Sequence, residues 1–200
     1  MIKQNILAAF TVAALTTFVK CNENRTFTDF RVSVPNIRRF YTASTTIWTL
    51  LTTQSNITCK VDVVANKSKT SAFFDRSYCS GHERVNRTLE GTFIRASVFA
   101  REDALDAMLV HPPDVTSQMV EQLLLTDKNW TCGVFKIYFQ SPYMSGHRDA
   151  VYELRVRDSN LTDIAPRCRK EFNKHSNDTG RNIYWDSCQN SVEPCKIINN

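Results

Sequence analysis

The sequence predicts an all-β fold: an eight-stranded antiparallel up-and-down barrel followed by one C-terminal helix. Short runs rich in β-branched and aromatic residues recur along the chain and are separated by polar turns. Two such runs within 118–139 flank the turn 127–129 and predict a β-hairpin. A helical stretch follows the last run. Eight strands can close around a space for one small ligand, although strand spacing alone leaves a two-layer sandwich open.

The first half of the chain predicts a short helix and four strands. Asn36 is suited to cap a helix through Ile37–Tyr41. The polar segment Ser80–Asn86 predicts a loop between the third and fourth strands. The four strands are expected at Thr45–Thr53, Ile57–Val64, Thr70–Tyr78 and Thr88–Phe99.

The second half predicts four more strands and the helix. Ala104–Val110 predicts a weak fifth strand, for which helix is the competing interpretation because Ala, Leu and Met favour helices. The hairpin supplies strands six and seven, and Cys132 is expected in the middle of the second of them. Ala150–Arg157 alternates cleanly between apolar and polar residues and predicts strand eight. After Pro166, Arg167–Lys174 predicts the helix. Internal repeats and low-complexity linkers are absent, so we expect one domain.

The first 21 residues predict a secretory signal. Lys3 gives a positive start, Ile6–Val19 is mostly apolar, and the first acidic residue is Glu23. A membrane anchor is the alternative, but this run is short and rich in Thr. We therefore expect a secreted mature domain spanning 22–200. Removing Lys3 and Lys20 lowers the formal charge from +5 to +3, which predicts no nucleic-acid partner. No later stretch of the sequence is apolar enough to span a bilayer, so we expect no membrane partner.

The cysteines also predict export. The chain has seven, and cleavage at or after Cys21 leaves six, an even number suited to three disulfides. CxxC spacings are absent, so we expect no metal site. The six cysteines are Cys59, Cys79, Cys132, Cys168, Cys188 and Cys195.

Seven Asn-x-Ser/Thr sequences are potential glycosylation sites, and each occupied site must lie on the surface. They begin at Asn24, Asn56, Asn66, Asn86, Asn129, Asn160 and Asn177.

The sequence contains no recognisable catalytic set. The four histidines are scattered without HExxH spacing, and neither a GxSxG motif nor a glycine-rich phosphate loop occurs. We therefore expect a binding protein with no cofactor, not an enzyme.

Several short motifs resemble the tick salivary lipocalins, the histamine-binding family of blood-feeding ticks. They are the run from Tyr41 (Tyr-Thr-Ala-Ser-Thr-Thr-Ile-Trp-Thr-Leu-Leu), Cys59-Lys-Val-Asp, Cys132-Gly-Val, Tyr152-Glu-Leu-Arg and the spacing of Cys168 and Cys188. The resemblance implies a monomeric lipocalin barrel with the C-terminal helix packed on its wall. It also implies the bridges Cys59–Cys188, Cys132–Cys168 and Cys79–Cys195.

The resemblance further implies capture of a small host mediator in the barrel, which suppresses host inflammation and haemostasis. Members take up biogenic amines such as histamine or serotonin, and others take leukotrienes, fatty acids or sterols. An ammonium group that leaves water needs a carboxylate and aromatic faces around it. Some members bind complement, so an outer surface that binds a host immune protein is the alternative function.

The family's amine motif on the last strand reads Tyr, then Asp or Glu, then Leu-Trp. Tyr152, Glu153 and Leu154 match it, but Arg155 replaces the Trp. Glu153 and Arg155 share one face of the strand. If that face points inward, Arg155 neutralises Glu153 or receives a ligand carboxylate, with Arg95 as a second candidate. If it points outward, both are solvated surface charges.

Two further residues are candidate ligand contacts. Asp62 on the second strand is either an acidic contact in the cavity or a surface residue. Trp48 on the first strand is either a ligand contact or part of the barrel core.

Overall fold

The computed structural model describes residues 35–97, 104–113, 119–139, 150–157, 161, 166–190 and 195. The signal segment, Asn24 and Asn160 lie outside these residues. The strands are β1 Thr46–Thr52, β2 Thr58–Lys67, β3 Ser71–Ser80, β4 Glu83–Ile94, β5 Ala107–His111, β6 Met119–Thr126, β7 Cys132–Phe139, β8 Val151–Arg157 and β9 Arg181–Asn182. The helices are α1 Ile37–Phe40 and α2 Pro166–Ser176, and a 3-10 turn covers Asp186–Gln189.

The first eight strands form a closed antiparallel barrel, as predicted. Each strand pairs with the next along the chain, and β8 pairs back onto β1. In that closing pair Trp48 lies opposite Val156. Because the last strand meets the first, the sheet is one closed wall and the sandwich alternative is wrong.

The short helix α1 closes one end of the barrel, which we call the closed end. The side chain of Asn36 accepts a hydrogen bond from the backbone N–H of Arg38 at 3.1 Å and so caps the helix, as predicted. Ile37 and Phe40 are fully buried. The start of β1 lies at this end, so the β1–β2 and β3–β4 connections lie at the opposite, open end.

Two apolar clusters lie on the two sides of the wall. The inner cluster contains Phe74, Phe135 and Leu123 and fills the closed end beside α1. The outer cluster contains Leu154 and Phe172 and lies between the wall and α2. Strand residues alternate between the two clusters because successive side chains point to opposite faces. Among the described residues, no helix is both long enough and apolar enough to cross a membrane.

Three disulfides connect the barrel to the C-terminal part of the chain. The bridges are Cys59–Cys188, Cys79–Cys195 and Cys132–Cys168, the pairing that the family resemblance implies. The Cys132 bridge links β7 to α2. The Cys59 bridge links β2, and the Cys79 bridge links β3, to the part of the chain that follows α2, which we call the tail.

The β3–β4 connection differs from the prediction. Ser80–Asn86 was expected to be a loop, but Ser80 pairs with Glu83 and β4 begins there. The turn is only Gly81-His82, and Gly81 adopts a φ of +60°, which a tight hairpin turn requires. Near the turn, β3 and β4 are largely exposed on both faces. This part of the sequence therefore lacks the alternation of apolar and polar residues that marks a strand.

Other strand boundaries also shift. β4 ends at Ile94, before the predicted end of the strand, whose residues 98–99 lie outside the described part of the chain, and β5 is a strand that begins at Ala107. The helical alternative for this segment is therefore wrong. Cys132 begins β7 and is not central in it. The short strand β9, which pairs with the end of β1, was not predicted.

Candidate ligand-binding site

The candidate face of β8 points into the barrel. Glu153 and Arg155 are both 0% exposed, and both belong to the interior ion pairs described below. Leu154 and Val156 point the other way, into the outer cluster. The inward alternative for this face is therefore the one that the structure adopts.

Glu153 has two cationic partners inside the barrel. One carboxylate oxygen, Oε1, lies 2.7 Å from Nζ of Lys60 on β2. The other, Oε2, accepts a hydrogen bond from Nε of Arg155 at 2.8 Å. Both oxygens are thus engaged by protein cations.

Arg76 on β3 joins two further carboxylates. Its Nε donates to Oδ1 of Asp62 at 2.7 Å, and its Nη1 donates to Oε1 of Glu121 at 2.6 Å. Arg155 also donates to Glu121. The Tyr41 hydroxyl, beside α1, donates to Asp62 at 3.0 Å and accepts from Arg155 at 2.6 Å. These contacts join all the groups into one network.

This interior network is electrically balanced: three cations face three carboxylates. Burial would raise the pKa of Glu121, but Arg155 and Arg76 lower it well below the ordinary value. Burial and then Arg76 lower the pKa of Lys60, and Glu153 opposes that shift. The paired geometry therefore holds the carboxylates in their charged form despite burial. The network consists of Lys60, Asp62, Arg76, Glu121, Glu153 and Arg155, with Tyr41 as a neutral member.

A cavity of about 290 Å³ lies between this network and the open end. Lys60, Arg76 and Glu121 form its polar floor, and Arg87 and His111 add polar groups to its wall. The remaining lining is largely apolar or aromatic. Those residues are Gln54, Ile57, Tyr78, Leu89, Val110, Pro112, Met119, Ile137 and Phe139.

The charges that line the cavity are mostly positive. Among the described residues that line the cavity, Lys60, Arg76 and Arg87 are three cations and Glu121 is the one carboxylate. Glu121 already accepts hydrogen bonds from Arg76 and Arg155. An apolar wall with a cationic floor is chemically suited to an amphipathic molecule that carries an acidic group.

The structure brings together three of the six sequence-predicted contacts. Asp62, Glu153 and Arg155 all join the network, below the cavity, and do not line it directly. Tyr152 lies outside the barrel, where its ring stacks on His175 of α2.

The other two predicted contacts are also away from the cavity. Trp48 points outward into the outer cluster and packs edge-on against Tyr184 of the tail. Arg95 is exposed and follows the end of β4.

Sequence reasoning missed Lys60, Arg76, Arg87, Glu121 and Tyr41. A usable signal existed for part of this set, because Lys60 and Asp62 alternate with Val61 and share one face of β2. A strand whose apolar residues face an outer helix and tail can have its charged residues on the inside. No comparable signal marked Tyr41, which directly follows α1 and enters the network from that end.

The described sequon asparagines are all exposed. They are Asn56, Asn66, Asn86, Asn129 and Asn177. In the described part of the chain, Asp127, Cys132 and Cys168 have the spacing of a metal site. The two cysteines form a disulfide, so they have no thiolates to offer a metal.

The sequence matches the family model for the tick histamine binding protein over residues 22–190. Among solved structures, the chain is similar to Japanin from Rhipicephalus appendiculatus bound to cholesterol, with 10% identity and a TM-score of 0.46, over 66% of this chain and 87% of that chain. It is also similar to a deswapped triple mutant of bovine odorant binding protein, with 14% identity and a TM-score of 0.45, over 68% of this chain and 89% of that chain. No curated protein matches the sequence.

Proposed function

The chain belongs to the tick histamine-binding protein family of lipocalins, non-enzymatic proteins with a ligand-binding barrel, and from that premise we propose that it sequesters a small amphipathic mediator with an acidic head group. The acid is held at the cationic floor of the cavity, and the apolar body lies against the wall. The observation that carries this proposal is the excess of cations among the described residues that line the cavity.

The contacts of the floor support an acid as the ligand. Lys60 and Arg76 both line the cavity, and their nitrogens also donate to Glu153, Asp62 and Glu121. A carboxylate placed there adds one negative charge to a balanced network and gains charge-assisted hydrogen bonds. Arg87 is exposed near the open end and can attract the acid before it enters.

The same contacts work against a cationic ligand. An ammonium group at the floor would add a fourth positive charge beside Lys60 and Arg76. Glu153 is buried below the floor and has two cationic partners. Because a buried cation needs an uncommitted carboxylate, the network gives an amine little compensation for its lost hydration.

A biogenic amine such as histamine or serotonin is the second candidate. Glu121 lines the cavity, and Tyr78 and Phe139 provide aromatic surfaces there. The family description supports the same candidate. In this case Glu121 would have to give up its hydrogen bonds with one of its two arginines and accept one from the ligand ammonium instead.

Either ligand implies the same biological role. The protein is exported with saliva and lowers the free concentration of a host mediator of inflammation or haemostasis at the bite. This role needs stoichiometric binding without turnover. The three disulfides and the exposed sequons are consistent with export.

A pair of variants tests the proposed site. Arg87 lines the cavity. Arg84 is on the same strand but on its other face, and it pairs with Cys79 of β3. We expect Arg87→Gln to weaken binding of a fluorescent fatty acid by up to about tenfold, as for a partly exposed charge-assisted contact. Arg84→Gln removes the same charge and should leave the affinity unchanged. Equal affinities for both variants and the parent protein would remove Arg87 from the site.

A further inference from the structure

Four cations converge at the closed end of the barrel, opposite the cavity. We call Arg38, Arg39, Lys67 and Arg157 the basal patch. Nζ of Lys67 donates to the backbone oxygen of Arg38 at 2.7 Å. Nη2 of Arg157 donates to the backbone oxygens of Arg39 and Phe40, each at 2.6 Å. Lys67 at the end of β2 and Arg157 at the end of β8 therefore meet at the C-terminal end of α1.

The described part of the chain places no carboxylate in an ion pair with the basal patch. None of its four cations has an ion pair with a described residue. Burial lowers the pKa of Arg157, and the charge of Asp127 opposes that shift. However, the oxygens of Asp127 accept hydrogen bonds from three backbone N–H groups in the β6–β7 turn. The interior network, by contrast, pairs every cation.

The cations of the basal patch also repel one another. Burial lowers the pKa of Lys67, and the neighbouring charges of Arg38 and Arg157 lower it further. Nε of Arg38 is buried and has no hydrogen-bond partner in the described part of the chain. Uncompensated positive charge of this kind favours binding of an anion.

Helix capping explains only half of the patch. Lys67 and Arg157 satisfy the last carbonyl oxygens of α1, a structural role. Arg38 and Arg39 have no such role among the described residues. Arg39 is exposed, and its guanidinium lies over the ring of Trp130 at 5.8 Å from the centroid, which holds it at the surface of the patch.

We propose that the basal patch binds a sulfated polysaccharide of the extracellular matrix. Guanidinium groups present paired donors that match the oxygens of a sulfate group. The three disulfides favour an extracellular location, where such polysaccharides occur. Anionic lipids are the less favoured partner because they are concentrated in the cytoplasmic leaflet. The patch and the cavity lie at opposite ends, so both can be occupied together, and this proposal does not depend on the identity of the mediator.

Heparin is a suitable probe, used with the protein secreted from eukaryotic cells so that glycans at Asn66 and Asn129, beside the patch, are present. The test variant is Arg38→Gln with Arg39→Gln. The matched control is Arg167→Gln with Arg169→Gln, which removes two exposed charges from α2 on the outer wall. Affinity for immobilised heparin is measured at several NaCl concentrations.

We expect the test variant to lose at least about tenfold in affinity at physiological salt. The slope of log affinity against log salt should fall by about two, because two fewer counterions are released. The control should change neither quantity beyond the small effect of net charge. Equal losses in both variants, or no heparin binding by the glycosylated parent protein, would overturn the proposal.

Two further measurements keep the test decisive. If the double variant does not fold, Arg39→Gln alone is compared with Arg169→Gln, since both residues are exposed. Vesicles of phosphatidylserine and phosphatidylcholine are tested in parallel. A larger effect of the test variant on vesicle binding than on heparin binding would replace the polysaccharide with a lipid surface and contradict the proposal.

Discussion

Lys60 and Glu153 form an ion pair of 2.7 Å across the inside of the barrel, although β1 lies between their strands. The pair is almost completely shielded from water, with side chains 6% and 0% exposed. Glu153 is the residue that the family motif suggests as the partner of a ligand amine. In the structure its carboxylate is already paired with the protein's own Lys60. The charge of the cavity is therefore set by residues on β2, β3, β4 and β6.

Replacing Glu153 should destabilise the fold strongly. Glu153→Gln leaves Lys60 without its ion-pair partner and Arg155 with one fewer carboxylate. Breaking a buried pair in this way costs about 3–5 kcal/mol. Urea denaturation, followed by tryptophan fluorescence, measures the loss in the free energy of unfolding.

Glu171→Gln is the control for that change. Glu171 lies on α2 and is about 4 Å from the partly or largely exposed Lys174 and His175. Such a surface pair contributes about 0–1 kcal/mol. If both substitutions changed the free energy of unfolding by similar small amounts, the network would not carry the stability assigned to it.

Acid should destabilise the protein through its buried carboxylates. Arg155 and Arg76 overcome the effect of burial and hold the pKa of Glu121 well below its ordinary value of 4.5. The unfolded chain therefore takes up this proton at a higher pH than the folded protein does. The stabilisation from Glu121 is fully present above pH 4.5 and is lost as the pH falls below it. The pKa values of Asp62 and Glu153 are lowered in the same direction.

The variant Glu121→Gln isolates one part of this dependence. Between about pH 5 and 3 we expect its free energy of unfolding to fall less steeply than that of the parent protein, by up to about 1.4 kcal/mol per pH unit for one proton. Denaturation curves at each pH give both slopes. Parallel slopes would mean that Glu121 is not held ionised by the two arginines.

Arg181 should hold the rim of the cavity in place. Its side chain donates to the backbone oxygens of Gln54 and Ile57 at 3.1 Å and 2.7 Å, and both residues line the cavity. Without these bonds, the pairing below them should open more often. We expect Arg181→Gln to speed hydrogen exchange at the amides of Cys59 and Ile183 by about tenfold, the effect of one charge-assisted hydrogen bond.

Arg169→Gln serves as the comparison for Arg181, because Arg169 is exposed on α2. Exchange at the same two amides should be unchanged in this variant. Cys59 is also bridged to Cys188, so the disulfide is the alternative restraint on the rim. Unaltered exchange in Arg181→Gln would show that the disulfide, and not Arg181, keeps the rim closed.

The architecture was accessible to sequence reasoning because it depends on local patterns. β8 was predicted from its alternation, and the shared face of Glu153 and Arg155 followed from the two-residue period of a strand. The pattern could not tell which face was inside, since α2 and the tail cover the other face with an equally apolar surface.

The cavity was not accessible in the same way, because its members come from separate strands. Arg76 and Glu121 are 45 residues apart in sequence and meet only when the barrel closes. Each taken alone resembles a solvated charge on an amphipathic strand. Only the pairing of β3, β4, β5 and β6 in the closed barrel brings Arg76 and Glu121 together at the floor of the cavity.

Calorimetric titration of the glycosylated protein with a long-chain fatty acid and, separately, with histamine tests the central claim most directly. The floor of the cavity, where Lys60 and Arg76 outnumber Glu121, predicts saturable one-to-one binding of the acid and no measurable binding of histamine. Saturable binding of histamine without binding of the acid would contradict this account and would make Glu121 the residue that receives the ligand.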